Sequence, residues 1–205
     1  MSKLKSSCKL GILSRPDGSV LFSQDETTVV AGVYGPVESK ANKALVEKAC
    51  VEAHFRPKSG LPGVKDRLNE SIIRNVCEAA IATAMYPRTS VVVVIQEMQN
   101  NGQLISCALN AACLALLDSG IDMKCMFAAV TCFIHKDESL VFTPPINEDQ
   151  VKAMFMFVFD SVEKSIIASH TDGSFSVEQY KDALSLCKEE CANMFDFFKK
   201  SLTIK

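Results

Sequence analysis

Thr89-Ser90-Val91-Val92-Val93-Val94-Ile95, then Gln99-Asn100-Asn101-Gly102, then Leu104 to Leu117: this stretch decides the fold. Its first part is an unbroken apolar run rich in β-branched residues, which fits a strand buried on both faces. The Gln-Asn-Asn-Gly segment is turn chemistry. In the third part Leu104, Ile105, Ala108, Leu109, Ala112 and Leu116, with their apolar neighbours, cover nearly the whole helical circumference. That spacing predicts a central helix with no solvent face, ended by Ser119-Gly120. A buried strand leading into a buried helix brings backbone N–H groups to one rim of the core, a natural place for an anion. The residues at that turn are therefore the first to ask about function.

On the N-terminal side, Val20-Leu21-Phe22 and Thr27 to Tyr34 flank polar Gln24-Asp25-Glu26 and read as a hairpin. Gly35-Pro36 is expected to end its second strand. A third strand is expected from about 44 to 55. The segment Arg56 to Gly63 holds two prolines and two glycines and is expected to be a structured loop. A helix follows over about 65–85, with Leu68, Ile72, Val76, Ala79 or Ala80, and Thr83 or Ala84 as its inner stripe, and Tyr86-Pro87 as its end. On the C-terminal side, Met123 to Ile134 reads as a strand, Ser139 to Phe142 as a short one, and Thr143-Pro144-Pro145 as a break. Met154 to Phe159 reads as a buried strand paired with about 162–168. Ser176-Val177-Glu178-Gln179 is a capping box. It opens a helix whose inner stripe is Tyr180, Leu184, Cys187, Cys191, Phe195, Phe198 and Leu202. This element order implies an α+β fold, with helices packed on mixed sheets in two similar lobes.

Composition sets outer bounds. The chain has 205 residues, is 48% hydrophobic and carries a net charge of −2, which suits one domain with a sizeable core. No run reaches the roughly 18 apolar residues of a membrane span, and the polar N-terminus argues against secretion. The nine cysteines include no C-x-x-C pair and mostly sit in apolar patterns, so free buried thiols are expected rather than disulfides or zinc. Cys187 and Cys191 stand four apart on a helix, but no His or further Cys nearby completes a ligand set. No metal and no cofactor is expected. Cations concentrate in one segment: Arg56, Lys58, Lys65, Arg67, Arg74 and Arg88 face only Asp66, Glu70 and Glu78. A basic face of this kind suits phosphates, and it equally suits an ordinary solvated surface with contacts to a partner protein.

Several motifs, in order, resemble the RNase PH family. They are Asp17-Gly18-Ser19, Gln24 to Val29, Val33-Tyr34-Gly35-Pro36-Val37-Glu38, Leu109-Asn110-Ala111-Ala112 and Leu117-Asp118-Ser119-Gly120. Phe55-Arg56-Pro57-Lys58-Ser59-Gly60-Leu61-Pro62-Gly63 narrows the resemblance to one class of RNase PH-like core subunit of the eukaryotic RNA exosome, the component 5 class. The match runs from about residue 8 to 200, which implies a single RNase PH-like domain over 1–205.

Active members of that family cleave RNA from its 3′ end with inorganic phosphate. The resemblance implies a phosphate turn, Gly-(Ser/Thr)-Arg, at the start of the central helix, where backbone N–H groups, a hydroxyl and a guanidinium hold the anion. The matching residues here are Gly102, Gln103 and Leu104, and a leucine cannot clamp phosphate. The family's carboxylates fall on Thr143, Pro145 and Phe155, none of them acidic. Glu148 and Asp149 lie near in sequence but are expected to belong to a solvated loop or helix start. Arg74 matches a basic position that contacts phosphate or RNA in active members, although a salt bridge to a neighbouring subunit is an equal use for it.

The resemblance thus implies a catalytically inactive structural subunit in a ring of six RNase PH-like chains. Its partners would be the other RNase PH-like subunits and RNA-binding cap proteins, with RNA passing through the channel, in the nucleus, nucleolus and cytoplasm. Arg56, Lys58 and Arg74 are the RNA-binding candidates. Two further readings stand beside it. One is a free homodimer, binding or cutting nucleic acid at a non-phosphorolytic site to which His54, Arg56, Lys58, Glu78 and Asp149 contribute. The other is a simple nucleic-acid-binding module using the basic segment.

Overall fold

The structure is a computed structural model and describes residues 4–40, 42–137, 139–143 and 151–203. Its first sheet contains β1 (Ser6–Leu10), β2 (Gly18–Gln24), β3 (Thr27–Glu38), β4 (Cys50–Arg56) and β5 (Thr89–Gln99), in the order β1-β2-β3-β5-β4. Strands β4 and β5 run parallel, and the other neighbours in this sheet run antiparallel. The β4–β5 crossover is made by α1 (Val64–Ala80), as parallel pairing requires. The second sheet contains β6 (Phe127–His135), β7 (Leu140–Val141), β8 (Val151–Asp160) and β9 (Ile166–Gly173), ordered β7-β6-β8-β9 and antiparallel throughout. Between the sheets lies α2 (Leu104–Ser119), buried over nearly its whole length. The last element, α3 (Val177–Thr203), packs on β6 and β8, and its Phe197 and Phe198 meet Phe22 of β2 edge to face. An α+β fold with packed helices is what the element order implied.

The central strand and helix form where the pattern put them. Val91, Val93 and Ile95 of β5 are fully buried, while Val92 and Val94 are half-buried, so the run has one closed face rather than two. Gly120 takes the left-handed conformation (φ 72°) that ends α2. The α2 C-terminus also lies close to β2: a Cβ on Gly18 would stand 2.3 Å from the carbonyl oxygen of Ala115. Only glycine lets that strand and helix approach so closely.

Five expectations need correction. Strand β3 does not stop at Gly35-Pro36; it continues to Glu38 through an irregularity between Tyr34 and Val37 that absorbs the proline's missing donor. Strand β4 begins at Cys50, not near 44. Helix α1 ends at Ala80, and Thr83–Met85 forms a separate 3-10 turn. The buried side of α1 is Ile73, Val76, Cys77 and Ala80, while Leu68 is 47% exposed. Ile72 and Ile73 are adjacent, and periodicity alone could not say which of them faced inward. The pairing expected for 162–168 is made by β9, at Ile166–Gly173. On α3 the capping box closes reciprocally: Ser176 N–H donates to Gln179 Oε1 at 3.0 Å, and Gln179 N–H donates to Ser176 Oγ at 3.2 Å.

Candidate functional site

The turn into α2 is built by local polar contacts. Gly102, with φ 88°, gives its N–H to Asn100 Oδ1 at 2.9 Å, and Asn101 N–H reaches Thr27 Oγ1 at 3.0 Å. Gln103 then turns inward and is 1% exposed. Its Nε2 donates to the carbonyl of Phe142 at 2.6 Å, and its Oε1 accepts from Gln24 Nε2 at 2.8 Å. Gln24 Oε1 in turn accepts from Asn110 Nδ2 at 3.2 Å. The same Nδ2 donates to Ala129 O at 2.9 Å, and Asn110 Oδ1 accepts Ala129 N–H at 2.8 Å. Ala129 lies on the stretch of β6 that β7 leaves uncovered, so the Asn110 amide serves that strand edge as a neighbouring strand would.

Three buried carboxamides therefore cross the interior from the end of β7, through the α2 start and β2, to β6. Each has partners inside the protein, which is the condition for burying such groups at no net cost. The arrangement is neutral, and the Gln103 amide is committed inward. Leu104, beside it, is half-buried and packs against the core. Gln103 was reached from the sequence as a matched position. Gln24 and Asn110 as its partners were not: Gln24 reads as part of a polar hairpin turn, and the one available signal was a lone Asn in an otherwise apolar helix.

Of the remaining matched positions, Thr143 and Phe155 lie within the described residues. Thr143 is exposed at the end of a described segment, and Pro145, Glu148 and Asp149 lie outside the described residues. Phe155 is fully buried, and its ring meets Phe157, Phe175 and Tyr180, the last on α3. It is part of an aromatic cluster.

The basic segment is arranged in the opposite sense. Arg56 stands exposed at the end of β4, Lys58 on the loop that follows, and Lys65, Arg67 and Arg74 on α1. The nearest acids are engaged by backbone amides: Asp66 Oδ2 accepts Gly63 N–H at 2.8 Å, and Glu70 Oε1 accepts Phe55 N–H at 2.9 Å. Arg74 reaches only Asn75 Oδ1, at 3.5 Å. Ion pairs among the described residues lie elsewhere, at Lys43–Glu52 and Lys48–Glu78, both 2.8 Å, with His54 3.9 Å from Glu52. The seven-residue spacing of Arg67 and Arg74 puts both on one side of α1. Their charge is thus left for solvent or a partner.

His54 and Glu78 are held by different partners, Glu52 and Lys48, and do not form one constellation. Among the described residues no group of three or more His, Cys, Asp or Glu is placed to hold a metal. Six of the nine cysteines are buried. Burial pushes the Cys107 and Cys113 thiols up to about 12. Cys187 is held protonated by its hydrogen bond to Cys132 and by burial. These are core side chains, not nucleophiles.

A family model described as the 3′ exoribonuclease family (RNase PH), domain 1, matches residues 5–122. An Arabidopsis thaliana protein named exosome complex exonuclease RRP46 homolog is 34% identical, over 95% of this chain and 89% of its own length. The Saccharomyces cerevisiae exosome complex component RRP46 is 28% identical, over 91% and 90%. Among solved structures, rice (Oryza sativa) Rrp46 superposes with a TM-score of 0.93 at 29% identity, covering 98% of this chain and 96% of that one. A chain of an archaeal exosome core superposes with a TM-score of 0.82 at 15% identity, over 97% and 87%, a likeness of fold alone. With a family model over more than half its length and a relative above 30% identity along nearly all of it, the chain belongs to the RNase PH family of 3′ exoribonucleases.

Proposed function

We propose that this chain is a catalytically silent subunit of an exosome core ring, its whole length forming one RNase PH-like domain. It supports 3′-to-5′ RNA processing and degradation by organising the ring and its channel. The relatives named as exosome components carry the assembly part of the reading. The inward-turned Gln103 amide carries the loss of phosphorolysis. A phosphate clamp at this turn needs a hydroxyl and a guanidinium facing the anion. Here the first position gives its amide to Phe142 and Gln24, and the second is Leu104.

The partners are the other RNase PH-like subunits and the RNA-binding cap subunits, with RNA in the channel. Arg56, Lys58 and Arg74, which have no ion pair among the described residues, are its candidate phosphate contacts, touching backbone without reading bases. The compartments expected of an exosome component are the nucleus and the cytoplasm; we extend them to the nucleolus. A free homodimeric nuclease is disfavoured because Glu78 is paired with Lys48, while His54 lies beside Glu52 instead.

Size-exclusion chromatography of the purified chain, alone and mixed with the other ring and cap subunits, tests the assembly role. The chain is expected to move quantitatively into the ring fraction. A chain that stays in its own peak while the remaining subunits close without it would overturn the reading.

A further inference from the structure

A compact pocket of about 180 Å³ lies between the end of β8 and α3. Its floor is apolar: Phe159, Cys191, Ala192 and Phe195. Around it stand Lys164, on the turn after β8, and Lys188 and Lys199, on α3. Lys188, Ala192, Phe195 and Lys199 follow at four-, three- and four-residue steps, so they share one face of the helix. Lys164 sits in the left-handed region at φ 54°. None of the three ammonium groups has an ion pair among the described residues.

Two carboxylates also line the pocket, Asp160 and Asp196. The Asp160 oxygens accept the N–H of Val162 at 2.8 Å and of Glu163 at 3.4 Å, which holds the carboxylate in place with its charge intact. Asp160 and Asp196 together offset two of the three lysines, which leaves the lining one positive charge in excess. The pocket therefore combines an apolar floor with a net positive rim.

The volume decides between occupants. Pockets for drug-sized molecules run to roughly 300–1,000 Å³, so this one is too small for a nucleotide and suits one or two side chains. An RNA backbone would use the lysines but leave the apolar floor uncovered. We propose that the pocket docks a short acidic segment of a partner protein: one apolar side chain fills the floor, and flanking carboxylates meet Lys164, Lys188 and Lys199. This is an interaction surface separate from the basic segment on β4 and α1, and it does not depend on the silent-subunit reading.

The test is a titration of the ¹⁵N-labelled full chain with the synthetic hexapeptide EDLFDE, followed by amide shifts. Controls are EDSSDE, which keeps the charge and loses the apolar pair, and a uridine hexanucleotide. Saturable shifts confined to residues 159–164 and 188–199 are expected with EDLFDE. Affinity should fall at least about tenfold in the double variant Lys164→Glu/Lys188→Glu, whose exposed side chains leave the fold intact, and in Ala192→Trp, which fills the floor. Arg56→Ala should leave it unchanged. The proposal is overturned if EDSSDE binds as tightly as EDLFDE, if EDLFDE moves no amides around the pocket, if the double variant binds normally, or if the oligonucleotide occupies the pocket in preference to the peptide.

Discussion

The starts of α1 and α2 are both helix N-termini entered through a glycine, yet their polar groups find opposite partners. At α2 the N-cap residue, Gln103, is buried and tied through Gln24 and Asn110 to three other parts of the interior. At α1 the N-cap residue is Gly63, Val64 is 88% exposed, and the neighbouring carboxylates serve backbone amides while the cations have no ion pair among the described residues. A helix N-terminus binds an anion only where the anion can reach its free N–H groups, and cations beside it strengthen the attraction. In this chain the interior start has been absorbed into packing, and the charge available to phosphate lies on the exterior one.

Substitutions at the two regions should separate them sharply. The largest effect is expected at Phe155, where a carboxylate is easiest to imagine restoring. Phe155→Asp would place an unpaired charge among Phe157, Phe175 and Tyr180, and should cost at least about 3–5 kcal/mol in urea denaturation while restoring no cleavage. Retained stability would mean the aromatic cluster opens to water more readily than its packing implies. Gln103→Ala comes next. It orphans the Gln24 amide and the Phe142 carbonyl, each costing roughly 1–3 kcal/mol. A loss under about 0.5 kcal/mol would show that water or repacking replaces the amide, and the comparison would lose its interior half.

The smallest stability effect belongs to the exterior region. Arg56→Ala/Lys58→Ala/Arg74→Ala should unfold within roughly 0.5 kcal/mol per position of the unchanged chain, since exposed cations without partners contribute little. Its effect should appear in the assembled ring instead: weaker RNA binding for all sequences alike, with the salt slope reduced by about one unit per contact removed. Unchanged affinity and slope in a normally assembled ring would remove RNA from this surface. Failure of the ring to assemble would assign the residues to a subunit interface.

The sequence carried these regions unequally. Helix α2, β8 and the capping box of α3 were legible because their signals are local: an apolar circumference, an apolar run and a four-residue hydrogen-bond pattern. Strand β1 and the inward face of α1 were not, because β1 alternates only weakly and α1 offers adjacent isoleucines. The amide chain could not be read at all. Gln24, Gln103 and Asn110 are 79 and 86 residues apart in their contacts, and only the stacking of α2 between the sheets brings them together. The matched positions 103 and 104 could be read as lacking a clamp; where the Gln103 amide goes instead is a fact of the tertiary structure.

The central claim, that the α2 start has exchanged phosphate for an internal amide, is tested most directly by nucleoside diphosphate release. The purified chain would be incubated with 3′-labelled single-stranded RNA, inorganic phosphate and magnesium, and the products resolved for labelled diphosphate. The account predicts none above a phosphate-free control, for the chain alone and for Gln103→Ala equally. Phosphate-dependent release of nucleoside diphosphates by the unmodified chain would contradict it.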